Sequence, residues 1–162
     1  MQAYPTIRLT IVGKEKAVYR PVSYADKSLF EESIELFTKL NLNHRIRHYS
    51  RLDSKEYVKL LSNSHVHFYF SRPFVASWSL LEAMSSGCCI ISNESPMTSE
   101  FLGHKTNALI VDSTYTNRSV EDINDYLSDE ALINKTASNA RSSALKFDFR
   151  EQLKSIRAYI GY

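Results

Sequence analysis

The sequence predicts an α/β fold in which a mainly parallel sheet carries helices on both faces. Three observations carry that prediction. Short β-branched and aromatic runs alternate with longer amphipathic segments along the whole chain, the order that right-handed strand–helix–strand crossovers require. The length of 162 residues suffices for one well-buried domain and falls short of two. A hydrophobic content of 43% is that of a globular chain, not of a disordered or fibrous one.

Ile7 to Val12 reads as a strand that Gly13 ends, and Lys14 to Tyr24 as a loop containing Pro21. Asp26 to Leu42 is amphipathic, with Leu29, Phe30, Ile34, Phe37 and Leu40 at helical spacing. Arg45–Tyr49 is a strand, and Asp53-Ser-Lys-Glu56 is a capping-box start for a helix through Ser62. Val66-His-Phe-Tyr-Phe70 reads as a buried strand. A compact helix over 79–86 follows, ending near Gly87, and then a strand over 88–92. A short helix from Pro96 to Leu102 and a strand at Ala108–Val111 close the sheet. Helices near 118–128, 130–146 and 149–160 finish the chain. There is no internal repeat and no low-complexity linker.

Composition excludes several classes. Apolar runs stay far below the ~20 residues of a membrane helix. Met1-Gln-Ala-Tyr-Pro-Thr6 has neither a basic nor an apolar region, so no signal peptide is expected. The two cysteines, Cys88 and Cys89, are neighbours in a strand and point to opposite faces, against a structural disulfide and for a reducing cytoplasm. His44, His48, His65, His67 and His104 have no metal-ligand spacing with them. Net charge is +2, but residues 1–81 hold 12 Lys/Arg against 7 Asp/Glu, whereas 82–162 hold 8 against 11. That asymmetry suits ordinary solvated charge, a surface facing a diphosphate, or peripheral contact with an anionic membrane; no basic stripe points to nucleic acid. Phosphate-loop, dinucleotide and nucleophile-elbow motifs are absent, as is Asp-x-Asp.

Residues 71–88 are the most informative stretch: Ser-Arg-Pro-Phe-Val-Ala-Ser-Trp-Ser-Leu-Leu-Glu-Ala-Met-Ser-Ser-Gly-Cys. A strand, a tight loop, a helix N-terminus and a further strand form the unit that open α/β sheets use to hold phosphorylated ligands. Glu82, in the first turns of that helix, suits ribose hydroxyls while the helix end suits a diphosphate. Ser79-Leu-Leu-Glu82 also reads as a capping box, the reading that spacing alone favours, and the two roles do not exclude each other.

This segment resembles the donor-site signature of family-4 retaining glycosyltransferases, enzymes of the two-domain GT-B fold. Glu82-Ala-Met-Ser-Ser-Gly87 matches the second half of their pattern, and Pro73-Phe-Val-Ala-Ser-Trp-Ser-Leu-Leu-Glu82 is similar to one bacterial branch. The likeness includes Arg8-Leu-Thr-Ile-Val-Gly13, Tyr49-Ser-Arg-Leu-Asp53, Glu100-Phe-Leu, Asn107-Ala-Leu-Ile-Val111, Asn139-Ala-Arg141 and Lys146-Phe-Asp148. The resemblance implies a Rossmann-like, nucleotide-sugar-binding domain spanning 1–162, the C-terminal half of a GT-B enzyme. The full enzyme would move a hexose from a UDP- or GDP-sugar to a saccharide or lipid-linked acceptor, with retention and without a metal. The chain starts where the family's second strand would start, so the first strand with its Gly-Arg turn and Lys, and the acceptor-binding domain, are expected elsewhere. An open sheet edge available to a second copy follows. The alternative is a non-catalytic nucleotide-binding or partner subunit of a split enzyme; a signalling receiver lacks its phosphoacceptor Asp.

The resemblance also assigns site residues. Glu82 takes the ribose, and Ser77, Trp78 and Ser79 form the anion-binding helix entrance, Ser77 standing where the family usually has Gly. Trp78 is the only tryptophan, and core packing is the commoner role of such a residue. Phe74 stands where many members have a first Glu that contacts the donor sugar. Either the backbone of Val75, Ala76 and Ser77 binds the sugar or another residue supplies the acid, unless Phe74 simply packs beneath the loop. Arg51 and Leu52 follow the strand at 45–49 at the carboxyl edge, where the family's backbone contacts the base, and Gly13 ends another strand on the same edge. Glu100 matches a family Glu close to the donor, against a plain surface carboxylate. Arg72 and Lys14 are further diphosphate candidates, against solvated charge. No catalytic side chain and no metal ligand are assigned.

Overall fold

A computed structural model describes residues 7–15, 28–71, 77–112, 114 and 117–160. Arg72, Phe74, Val75 and Ala76, and most of the expected 14–24 loop, lie outside them. The chain divides into two compact units, 1–56 and 57–162.

In the first unit β1 (Leu9–Val12) pairs in parallel with β2 (Ile46–Tyr49), Leu9 opposite Ile46 and Val12 opposite Tyr49. Between them runs α1 (Leu29–Lys39), shorter than the amphipathic stretch of 26–42. Its start is fixed by a capping box that the sequence reading did not single out. Ser28 Oγ accepts from the Glu31 N–H at 3.1 Å, and the Ser28 N–H donates to Glu31 Oε2 at 2.6 Å. Asn41, in the left-handed region at φ 55, turns the chain out of the helix into a 3-10 turn at Asn43–Arg45. The Asp53 capping box is present as expected. The Glu56 N–H donates to Asp53 Oδ1 at 2.8 Å, and the Asp53 N–H to Glu56 Oε2 at 3.2 Å. It starts α2 (Ser54–Ser62), which carries the chain into the second unit.

The second unit is built on β3 (Val66–Tyr69), β4 (Cys89–Asn93) and β5 (Leu109–Val111), paired in parallel in that order. Every named strand pairing among the described residues is parallel. β4 lies between its two neighbours and all five of its residues are buried, as a strand covered on both faces must be. One face, with Cys88 and Ile90, packs on Leu61 of α2, on Leu80, Ala83 and Met84 of α3 (Trp78–Ser85), and on Ala140 and Ala144 of α5 (Glu130–Ala144). The other face, with Cys89, Ile91, Leu109 and Val111, packs on Tyr126 of α4 (Asn117–Ser128) and on Ile133 and Ala137 of α5. The two adjacent cysteines thus lie in two different cores, and both are free thiols.

Two expected helices differ. The stretch 96–102 forms only a 3-10 turn at Thr98–Glu100: Ser95 and Thr98 bond each other's backbone as a cap does, but the Asn107 amide then accepts from the Gly103 N–H and donates to the Phe101 carbonyl, and the run stops there. The helix expected over 130–146 ends at Ala144 and closes in a 3-10 turn at Leu145–Phe147. The last helix, α6 (Phe149–Ile160), contributes no buried residue.

Candidate functional site

The site grows out of the carboxyl end of β3. Beyond Tyr69, the backbone of Ser71 is held by the carboxamide of Asn93, the last residue of β4. The Ser71 N–H donates to Asn93 Oδ1 at 2.9 Å, and Asn93 Nδ2 donates to the Ser71 carbonyl at 2.9 Å. The amide imitates one more ladder pair and extends the β3–β4 contact past the strands themselves. At the far end of the same loop, the Ser77 N–H donates to the buried Tyr69 hydroxyl at 3.0 Å. Both ends of the loop are therefore tied to the sheet.

Helix α3 begins directly after that anchor. Its N-cap is Ser77, whose Oγ accepts from the Ser79 N–H at 3.2 Å while its carbonyl accepts from the Leu80 N–H at 3.1 Å. The capping box read from Ser79 and Glu82 does not form: Ser79 is already inside the helix and Glu82 lies a turn beyond the cap. Of the three N–H groups expected to face an anion, those of Ser77 and Ser79 are engaged within the protein. That of Trp78 has no acceptor among the described residues. The positive end of the helix dipole remains at this entrance.

At about 100° per residue, Leu80, Ala83 and Met84 point one way from the α3 axis and Trp78, Glu82 and Ser85 the other. The first three are fully buried and the last three exposed. Glu82 therefore presents its carboxylate outward, close enough to Tyr57 of α2 to add to the burial that raises that phenol's pKa. Trp78 is 80% exposed, so the core-packing role does not hold. The helix ends in a Schellman motif. Gly87 sits at φ 77, its N–H bonded to the Met84 carbonyl and that of Cys88 to the Ala83 carbonyl. This turn feeds the chain straight back into β4.

The other sequence-derived residues are placed in two further groups. Gly13 and Arg51–Leu52 follow the parallel neighbours β1 and β2 at one carboxyl edge, within the first unit. Gly13 adopts φ 149; its N–H donates to the Tyr49 carbonyl at 2.9 Å and its own carbonyl lies 2.7 Å from His48 Nε2. Arg51 is exposed and Leu52 half-buried. Glu100 is exposed on the 3-10 turn after β4. Phe74, Val75 and Ala76 fall outside the described residues.

Sequence reasoning missed two features of this edge. One is the Asn93 clamp, signalled only by a carboxamide at a strand end. The other is an open hollow of about 600 Å³ lined by Glu94, Ser95, Pro96, Ser99 and Asp112. Glu94 and Ser99 are shared with an adjoining one of about 280 Å³ that reaches His104. Bonds from Thr114 hold the Asp112 carboxyl below its usual pKa. Among the described residues no three His, Cys, Asp or Glu side chains gather as a metal site, and no helix is long and apolar enough to cross a membrane.

The family of glycosyl transferases group 1 matches residues 1–143. The chain belongs to that family. Solved structures agree on the fold. HepE from Anabaena, determined in complex with UDP, superposes with a TM-score of 0.78 at 20% identity, over 99% of this chain and 42% of that one. The C-terminal domain of LpcC from Francisella tularensis, also a group 1 glycosyl transferase, gives 0.63 at 20%, over 72% and 60%. Sucrose-phosphate synthase from Thermosynechococcus elongatus gives 0.73 at 17%, over 94% and 38%. No curated protein matches the sequence significantly. This group 1 chain therefore has the Rossmann-like α/β fold of GT-B C-terminal domains, and it spans less than half the length of HepE.

Proposed function

We propose that this group 1 chain is the donor-binding domain of a retaining, family-4-type hexosyltransferase that uses a UDP- or GDP-hexose. The observation that carries the reading is Glu82. Its carboxylate is exposed one turn inside α3, and the cap that would have occupied it is supplied by Ser77. An ionised carboxylate accepts hydrogen bonds only, and its two oxygens match the two vicinal hydroxyls of ribose. The helix entrance next to it favours negative charge. On this reading the second unit holds the diphosphate at the entrance and the ribose on Glu82, with Glu100 assigned to the donor.

The chemical step needs charge stabilisation on the departing diphosphate while the sugar becomes oxocarbenium-like. A helix N-terminus with fixed cations supplies that without a divalent metal. The groups that position the acceptor hydroxyl belong to an acceptor-binding domain, in the same polypeptide or a partner. The support for that is the share of HepE that this chain does not span.

Glu82→Gln tests the site. Losing a charge-assisted bond to ribose costs about 1.5–3 kcal/mol, so UDP or GDP affinity falls by roughly 10- to 150-fold by calorimetry. The melting temperature stays where it is, because Glu82 caps nothing. Unchanged nucleotide affinity would remove Glu82 from the site.

A further inference from the structure

We propose that Trp78 is the stacking platform for the hexose of the donor, a specificity-determining contact made by its indole face. The inference rests on the donor-binding reading and deepens it.

An indole ring that is 80% exposed runs against the usual burial of tryptophan, and this is the only one in the chain. Among the described residues, the backbone on both sides of it is held. The residue before it is tied to the Tyr69 hydroxyl and forms the N-cap, and Leu80, two residues after it, is fully buried. With the helix fixed in rotation by Leu80, Ala83 and Met84, the side chain at 78 leaves on the opposite face.

Its neighbour on that face is Glu82, four residues on and therefore one turn away, about 6 Å along the axis. If ribose sits on Glu82, the diphosphate lies toward the positive helix end, and the hexose lies beyond it on the Trp78 side. A pyranose ring presents a face of C–H bonds whose partial positive charge suits the negative π face of indole. Phosphate oxygens, being negative, do not pack there. The sequence places no carboxylate between Ser71 and Leu81, the stretch leading into and through the first turn of α3. A flat apolar platform is a second way to hold a hexose, and it selects on the shape of the C–H face.

The sole tryptophan supplies its own probe. Fluorescence of the intact chain, excited selectively at the indole, is titrated with UDP, UDP-glucose, GDP and GDP-mannose, with calorimetry in parallel. The expected result is a change in indole emission that is larger for the nucleotide sugar than for its nucleotide. In Trp78→Ala the affinity advantage of the sugar nucleotide over the bare nucleotide falls several-fold, and in Trp78→Phe most of it returns. An equal response to UDP and UDP-glucose would assign the ring to the nucleotide and overturn the proposal. Calorimetric binding with a silent indole would overturn it while leaving the donor site intact. No binding of any nucleotide would remove the donor reading and the platform together.

Discussion

Cys88 and Cys89 show how far one residue's step along a strand changes a side chain's surroundings. Cys88 Sγ donates to the Leu61 carbonyl at 3.1 Å in one core. Cys89 Sγ lies 3.1 Å from the Tyr126 hydroxyl in the other, where that hydroxyl also meets Thr136. Burial is the main cause that pushes the Cys88 thiol up to about 11 and raises Cys89 as well, with Tyr126 raised by the same burial. Both thiols are thus neutral near pH 8, and thiolate is the reactive form. A disulfide reagent added to the native chain should label far less than one thiol per molecule over minutes, and both once denaturant is added. Rapid labelling of a single native thiol would mean that one face of β4 opens readily. The opposite orientation of the two cysteines was legible from strand geometry alone. The Asn93 clamp was not, because a carboxamide at a strand end gives no sign of the backbone it will meet 22 residues earlier.

Helix α3 is where local sequence signals compete. Ser77 and Ser79 are both eligible caps, and only Ser79 has an acid three residues on, so a pattern rule selects Ser79. The structure selects Ser77, because Tyr69 holds the Ser77 N–H and the burial of Leu80 fixes the helix phase. At Asp53 no such tertiary contact intervened and the capping box formed as read. The 96–102 segment likewise carried a helix-compatible pattern, but the Asn107 amide, bonded to the Phe101 carbonyl and the Gly103 N–H, ends it after a single 3-10 turn. The other end of α3 was fully legible, since a glycine after a helical run reads as a Schellman stop. At Gly87 an added Cβ would meet nothing within 4 Å, so the need for glycine is purely the left-handed backbone at φ 77. Gly87→Ala should therefore cost about 1–2 kcal/mol in denaturant unfolding, with the native spectrum retained. A cost near zero would show that the turn relaxes to another conformation.

At the scale of the molecule, alternation of strands and helices was enough to predict parallel pairing, and the two cores follow from β4 being covered on both faces. The exposed half of α3 was less legible, because hydrophobic patterning says which residues are buried and not what an outward-facing tryptophan will touch. Stability of the whole fold carries one testable pH signature from β3. His67 is half-buried beside the Tyr69 ring, with centroids 6.4 Å apart, and desolvation lowers its pKa below the ordinary 6.5. In the unfolded chain the imidazole binds its proton near 6.5, whereas in the fold it does so only at lower pH. Between those two values the unfolded state holds more protons, so stability rises with pH across the window. The contribution is fully present above about 6.5 and is lost as pH falls from there through the lowered folded value. Melting temperatures measured from pH 7.5 down to 5.5 should therefore drop more steeply for the native chain than for His67→Gln, whatever offset the substitution adds at neutral pH. Parallel slopes for the two proteins would assign the acid sensitivity to other groups and show that His67 takes up its proton as easily folded as unfolded.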